Sequence, residues 1–462
     1  MQNRDTIAAV STPIGEGGIG IVRISGDRAL SIADKIFVGK KGKPSKFPSH
    51  TVRYGHIRRR SVDNNNEIID EVLLTVMRKP GTYTKEDIVE INCHGGVMPL
   101  KMVFEEVIRG GARPAEPGEF TKRAFLNGRI DLAQAEAVCD VIKSNTEASL
   151  KVAVSHLEGD FSGEIRSDRE NLLDVLKDLE ARIDFSEEDI EPSVNAQDIT
   201  RLKEVFIRLE NVLKTESKGM LLKEGITCVI CGKPNVGKSS LLNTLLKRNR
   251  AIVTHLPGTT RDTIEEIINL QGIAVKIVDT AGIVKARNIV EKEGVQRSRN
   301  YIRKADIAIL MVDLSRAFDK KDKEILKILP PGKTIVVANK SDLKHMFDPG
   351  HIRQLKDKKT IMASVLKKTN IKLIEEGISE TIWGGKVIHP EPTFLTSVRH
   401  KKALRSAVKS LRAGIRTLEK ESSSELAVVD IREAIFQLGL ITGESVDLNI
   451  LDRIFDKFCI GK

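Results

Sequence analysis

One eight-residue segment, GKPNVGKS at 232–239, constrains the fold of this chain more than any other feature. It matches the phosphate-loop pattern G-x-x-x-x-G-K-[ST], and it lies between an apolar run, 227–231, and a helical run, 240–246. In that context backbone N–H groups curl around phosphate oxygens, and the helix N-terminus adds positive potential. The pattern and its surroundings predict an α/β domain that binds a nucleotide.

The side chains of this loop have separate expected roles. Lys238 is expected to place its charge on the β- and γ-phosphates, and the hydroxyl of Ser239 is expected to ligate Mg²⁺. The residues predicted to contact the nucleotide here are Asn235, Val236, Gly237, Lys238, Ser239 and Ser240.

A second motif, D-x-x-G, ends another apolar run and comprises Asp279, Thr280, Ala281 and Gly282. Asp279 is expected to reach Mg²⁺ through water, and the N–H of Gly282 to sense the γ-phosphate. Alone this pattern is usually just a turn, but its position after the phosphate loop strengthens it. The segment between the two motifs supplies a second candidate Mg²⁺ hydroxyl, Thr260. The predicted contacts of this segment are Thr254, His255, Leu256, Pro257, Gly258, Thr259 and Thr260.

A third motif predicts which base is bound. Asn339, Lys340 and Asp342 follow the apolar run 335–338. The carboxylate of Asp342 can accept hydrogen bonds from N1–H and the exocyclic amine of guanine, whereas adenine would leave it poorly paired. Motifs in this order, each after a predicted strand, predict GTP rather than ATP.

The apolar periodicity changes along the chain and suggests about three domains in 462 residues. Residues 1–120 read as an α+β domain, with strands at 6–12, 20–24, 71–77 and 87–92 and a helix capped by Asp27. Helical patterns occupy 121–220 and 381–462, whereas 221–380 reads as alternating strands and helices. The predicted fold class is therefore a multidomain chain: an α+β N-terminal domain, an all-α helical domain, and an inserted α/β P-loop GTPase domain.

Composition limits the partners and the compartment. The formal net charge of +11 favours polyanions, although a lysine-rich proteome explains it equally well. The five cysteines have no framework spacing, and no signal peptide or membrane-length apolar run is seen, so a cytoplasmic protein without a membrane association is expected. Cys228 and Cys231 lie three apart on a strand, facing opposite sides, and are interpreted as core residues.

Segments throughout the chain carry a family resemblance. They are DTIAA at 5–9 with GGIGIVRISG at 17–26, the block PGEFTKRAFLNGRIDL at 117–132, and the terminal FCIGK at 458–462. With the three nucleotide motifs, these segments resemble the tRNA-modification GTPase MnmE (TrmE) family over the whole length of the chain.

The resemblance implies a potassium-dependent GTPase that forms a homodimer through its G domains. It also implies work with a flavoprotein, MnmG (GidA), that adds an aminomethyl or carboxymethylaminomethyl group to C5 of the tRNA wobble uridine. The one-carbon unit would come from 5-formyltetrahydrofolate or a related tetrahydrofolate held by the N-terminal domain.

Residue by residue, the resemblance implies four kinds of site. Folate-contacting positions are Arg23, Glu90, Arg129 and Lys462, with Arg129 standing where lysine is common. Potassium positions are Asn235, Thr254, Leu256 and Thr259, and Glu291 matches the residue that orients the hydrolytic water. Cys459 matches a near-terminal cysteine proposed to be catalytic, and a small buried packing residue is an equal alternative.

Two departures bear on this interpretation. Ile283 occupies the position of the water-orienting glutamine of Ras-type enzymes and cannot perform its role, so another residue must do so. The guanine-supporting loop usually reads Ser-Ala-Lys, but this chain has Ser364, Val365 and Leu366, so backbone contacts are expected to support the base there.

A rival function is a GTP-switched binding protein, such as a ribosome-assembly factor, without group-transfer chemistry. A third is a structural dimerisation scaffold. No KH-type GXXG loop is evident after residue 380, which favours the modification enzyme.

Overall fold

The structure, a computed structural model, describes residues 5–59, 67–184, 196–249, 265–279, 302, 305–330, 332–385, 389–420 and 424–462. The chain forms two compact units. Unit 1 comprises Met1–Cys139, His156–Phe206 and Ala403–Lys462, and unit 2 comprises Asp140–Ser155 and Ile207–Lys402. The boundaries at 120, 220 and 380 stay predictions.

The described residues form strands and helices in both units. The strands, in chain order, are β1 (Ile7–Val10), β2 (Gly20–Ser25), β3 (Phe37–Val38), β4 (Thr51–Arg59), β5 (Glu67–Met77), β6 (Ile88–Cys93), β7 (Arg113–Pro114), β8 (Ile226–Gly232), β9 (Glu265–Leu270), β10 (Ile273–Asp279), β11 (Ile307–Asp313), β12 (Thr334–Asn339) and β13 (Lys359–Met362). The helices are α1 (Ala29–Ile36), α2 (Val97–Arg109), α3 (Glu119–Leu126), α4 (Leu132–Lys143), α5 (Glu147–Glu158), α6 (Asp160–Asp184), α7 (Ala196–Lys214), α8 (Glu216–Glu224), α9 (Lys238–Asn249), α10 (Lys320–Ile328), α11 (Ile371–Trp383), α12 (Val398–Glu419), α13 (Ser424–Thr442) and α14 (Leu448–Phe455).

Unit 1 contains a seven-stranded sheet in the order β3-β4-β5-β6-β2-β1-β7. Its pairs are antiparallel except β1 with β7. The apolar faces of α1 and α2 pack with the inward side chains of the strands, including Val22, Leu74 and Ile91, in one buried cluster. This arrangement confirms the predicted α+β architecture.

The cap predicted for α1 is wrong. The residue before the helix is Arg28, which has no side-chain cap bond. The carboxylate of Asp27 instead accepts a hydrogen bond from Lys79 Nζ at 3.1 Å. A lysine brought close by the fold thus competes with the local capping bond that the sequence favours.

The C-terminal segment of unit 1 packs against the block around residues 117–132. Leu451, Phe455 and Phe458 share a buried cluster with Ala124 and Leu132. Gly118 has a positive φ of 67°, and a Cβ there would lie 2.8 Å from the carbonyl oxygen of Phe455. Only glycine accommodates both the backbone angle and this close approach.

Unit 2 contains a six-stranded sheet in the order β13-β12-β11-β8-β10-β9. The strands are parallel except for the β9–β10 pair. Separate buried clusters cover its two faces, with Cys228 in one and Cys231 in the other. This confirms the α/β prediction and the interpretation of both cysteines as core residues. Burial raises the pKa of the Cys231 thiol to about 12, so this thiol stays protonated at neutral pH.

The helices that the structure describes include none that is long and apolar enough to cross a membrane.

Candidate functional site

The phosphate loop of unit 2 begins where β8 ends. Positive φ angles occur at Gly232 (146°), Asn235 (65°) and Gly237 (103°). A Cβ on Gly232 would collide with the carbonyl oxygen of Met311, and a Cβ on Gly237 would collide with the side-chain amide of Asn339. The two glycines therefore permit both a tightly curled backbone and its contact with neighbouring strands, as a phosphate-binding loop requires.

Lys238 opens helix α9 and is nearly buried. Its Nζ donates to the carbonyl oxygens of Gly232 and Lys233, at 3.0 and 2.8 Å. These bonds hold the ammonium charge against the loop. Ser239 and Ser240 follow it in the first turn of α9 and are exposed. Ser239 therefore lies at the surface beside the loop, which is compatible with the predicted Mg²⁺ site.

The buried side chain of Asn339, at the end of β12, joins two predicted nucleotide loops. Its Nδ2 donates to the carbonyl oxygen of Val236 at 2.8 Å, and its Oδ1 accepts from the N–H of Val365 at 3.0 Å. Asn339 therefore fixes the phosphate loop relative to the loop predicted to support guanine.

The carboxylate of Asp342 is exposed and suited to base recognition. A hydrogen bond from the buried Ser364 hydroxyl is the main cause that lowers the pKa of Asp342. The N–H of Lys367 donates to the Ser364 hydroxyl oxygen at 3.1 Å. Ser364 therefore contacts Asp342 through its side chain, whereas only backbone contacts were expected from this loop. The side chain of Leu366, in the same loop, is 83% exposed.

Lys340 is positioned by a residue that the sequence analysis missed. Its Nζ lies 2.6 Å from Oδ2 of Asp313, at the end of the neighbouring strand β11. Asp313 also accepts hydrogen bonds from the N–H and hydroxyl of Ser315. Asp313 lies at the carboxyl end of β11, beside β12, and this position is the signal that could have identified it as a site residue.

Several predicted site residues lie outside the described residues. They are Thr254, His255, Leu256, Pro257, Gly258, Thr259, Thr260, Thr280, Ala281, Gly282 and Glu291. Asp279 is described as the last residue of β10, which places its backbone next to Ile230 of β8.

In unit 1, two of the predicted folate residues meet at the C-terminus of the chain. Arg23 and Glu90 face each other across β2 and β6, with Nε and Oε1 2.7 Å apart. Arg23 also donates from a terminal guanidinium nitrogen to the carbonyl oxygen of Gly461 at 3.1 Å. Lys462 follows directly, so the fold brings three of the four positions together.

The fourth position, Arg129, lies over the ring of Tyr83, 4.6 Å from its centroid. Tyr83 also packs against the buried cluster that contains Phe120, and the guanidinium of Arg23 lies over the Phe120 ring, 5.6 Å from its centroid. The two arginines thus contact aromatic rings of one packed region.

Cys459 is exposed, so the buried-packing alternative for this residue is wrong. Its carbonyl oxygen accepts from the N–H of Gly118 at 3.3 Å, which ties the terminal segment to the start of α3.

The fold and site of unit 2 define a P-loop nucleotide-binding protein. The MnmE helical-domain family matches residues 132–459, and the TrmE N-terminal family matches residues 6–129. The chain therefore belongs to the MnmE (TrmE) family.

Curated relatives match along their whole length. The tRNA modification GTPase MnmE of Alkaliphilus metalliredigens is 46% identical over 461 residues, which cover 99% of each chain. That of Acetivibrio thermocellus is 47% identical over 463 residues, covering 100% of each. Among solved structures, Aquifex aeolicus Era bound to GDP and aluminium fluoride is 24% identical over 40% of this chain and 66% of that one. Its TM-score of 0.28 supports no conclusion.

Proposed function

We propose that this chain is a GTP hydrolase of tRNA modification. With the flavoprotein MnmG (GidA), it acts on C5 of the wobble uridine and uses a tetrahydrofolate one-carbon unit. Its full-length relatives are tRNA modification GTPases. The observation that carries the GTP part is the Asn339 bridge, because one buried amide sets the spacing between phosphate loop and base-recognition loop.

Within the GTP site, each residue has one task. Asp342, whose carboxylate accepts a hydrogen bond from Ser364, would accept the two guanine N–H groups. Lys238 leaves its carbonyl partners to pair with the β- and γ-phosphates, which offer a stronger charge-assisted bond. Ser239 and Thr260 would ligate Mg²⁺, which when bound neutralises phosphate charge.

The cation and water contacts make up the rest of the hydrolysis proposal. Asn235, which is exposed in the loop and has a left-handed backbone, would supply a potassium ligand. The other ligands would come from Thr254, Leu256 and Thr259, which lie outside the described residues. Glu291 would orient the attacking water, because Ile283 cannot. GTP turnover that survives Glu291→Ala unchanged would remove Glu291 from the mechanism.

The folate part rests on the Arg23–Glu90–Gly461 contact. The guanidinium groups of Arg23 and Arg129 and the ammonium of Lys462 suit folate carboxylates, and Glu90 suits the amine groups of the pterin. Calorimetry with 5-formyltetrahydrofolate should show binding that Arg23→Ala abolishes. A wild-type chain that binds none would count against group transfer and favour a GTP-switched binding protein.

Analysis of wobble bases tests the function as a whole. In tRNA from cells lacking this chain, the C5 substituent should be missing, and the wild-type gene should restore it. Unchanged wobble bases would contradict the proposal.

A further inference from the structure

Helix α12 concentrates positive charge more than the helices near it. It has seven Lys or Arg residues and one acidic residue, and four of the seven lie in the part of the helix that belongs to unit 1, from Ala403 onward. In the same unit, α6 has four basic and eight acidic residues, and α13 has one basic and three acidic residues. The excess therefore belongs to α12 rather than to a basic composition spread evenly over the unit.

The charges of α12 in unit 1 form a single exposed line, the basic stripe, made of Arg405, Lys409, Arg412 and Arg416. Spacings of three and four residues keep them on one side of the helix over about 16 Å. The opposite side is buried in the unit and includes Leu404, Ala407, Leu411, Ile415 and Leu418. The stripe thus faces solvent along its length.

The charges of the stripe do not stabilise the helix through one another, although the Arg412 guanidinium lies over the ring of Phe206, 5.1 Å from its centroid. Neighbours on the stripe are like charges at i,i+3 or i,i+4, which destabilise a helix. Neither Lys409 nor Arg416 forms an ion pair with any part of the chain that the structure describes. A solvated face built for stability would carry alternating signs, so the stripe points to a partner.

The chemistry of the stripe selects the class of partner. Between residues 405 and 420, all described, no large apolar side chain is exposed, and small residues, Ser406 and Ala413, separate the basic ones. A protein interface needs apolar or aromatic anchors, which this face lacks. A regular row of phosphates needs only positive charge and an unobstructed approach.

From this geometry we propose that the basic stripe binds the phosphate backbone of RNA. The inference rests on the proposed function, in which the RNA is the tRNA substrate. The contacts set affinity and orientation and carry no base specificity.

Titration of tRNA binding with salt tests the stripe. Fluorescence anisotropy would follow binding of a labelled wobble-uridine tRNA to the full chain from about 50 to about 200 mM salt. Lys409→Ala with Arg416→Ala should flatten the plot of log affinity against log salt by about two, one for each lost phosphate contact. The double charge-keeping variant Lys409→Arg with Arg416→Lys should retain the wild-type slope.

Two controls separate binding from folding. Lys177→Ala removes an exposed lysine of α6 that pairs with Asp174, and it should leave the slope unchanged. The melting temperature of the double alanine variant should not fall, because like-charge pairs are removed.

Each other outcome overturns a different claim. A wild-type slope in the double alanine variant would contradict RNA binding by the stripe and would leave the proposed function unaffected. The same holds if that variant binds tRNA normally but loses the flavoprotein, since the stripe would then be a protein interface. A wild-type chain without tRNA binding would overturn the stripe and the tRNA part of the proposed function together.

Discussion

Single residues decide which nucleotide fits. Asp342 supplies a carboxylate at the surface, and a hydrogen bond from the buried Ser364 hydroxyl lowers the pKa of that carboxyl group. The charged form has only acceptors, which match the two N–H groups of guanine. In the proposed site, base choice depends on Asp342, which belongs to a recognisable motif, whereas its partner Ser364 lies 22 positions further along the chain.

The substitution Asp342→Asn should shift the base preference from guanine towards xanthine. An amide can accept only one of the two guanine N–H bonds, so GTP affinity should fall by about 10- to 100-fold, equivalent to about 1.5–3 kcal/mol. Xanthosine triphosphate, with a carbonyl where guanine has its amine, should bind more tightly than before. Fluorescent nucleotide titration measures both, and unaltered GTP affinity would remove Asp342 from base recognition.

The charged residues of the sites can be predicted from the sequence, but the residues that hold them in position cannot. Lys238 and Asp342 belong to short motifs with fixed spacing, so they could be read directly. The partner of Arg23 was named only through the family pattern, because 67 residues separate it from Glu90. Pairings between distant strands depend on register, which local sequence does not encode.

At the scale of elements, strands of the central sheet bring the loops together. The strands β8, β11 and β12 are almost wholly buried and parallel, so their carboxyl ends meet at one edge. Their continuous apolar runs made them predictable. β4 was missed because its sequence, TVRYGHIRR, mixes charged residues into a strand with a largely solvent-facing side.

Asn339→Ala should uncouple the two loops. The substitution removes both bonds of a buried amide and leaves the Val236 carbonyl oxygen and the Val365 N–H without this partner, at a cost of about 1–3 kcal/mol. The melting temperature and GDP affinity should both fall. Asn211→Ala, an exposed asparagine of α7, is the matched control and should change neither. Equal behaviour of the two variants would refute the bridging role.

At the scale of the whole molecule, two compact units carry different candidate sites. The nucleotide residues belong to unit 2, whereas the Arg23–Glu90 pair, the terminal residues and the basic stripe belong to unit 1. The proposed function needs both units, and the family matches include residues of both.

Under the proposed function, a potassium ion held by Asn235 would stimulate hydrolysis, and the G domains would form a homodimer. GTP turnover should rise at least about tenfold when sodium is replaced by potassium, a modest share of the roughly 10³–10⁵ that an arginine finger supplies. Turnover per molecule should also rise with protein concentration. Asn235→Ala should abolish the potassium effect, and equal wild-type rates in both salts would reject the proposed ion.

Comparing the hydrolysis of GTP and ATP tests whether the phosphate loop is fixed to a carboxylate that selects guanine. The purified chain, in magnesium and potassium, should favour GTP by roughly 10⁴-fold in kcat/KM, because adenine leaves the Asp342 carboxylate unpaired. Equal kcat/KM values for the two nucleotides would contradict the account.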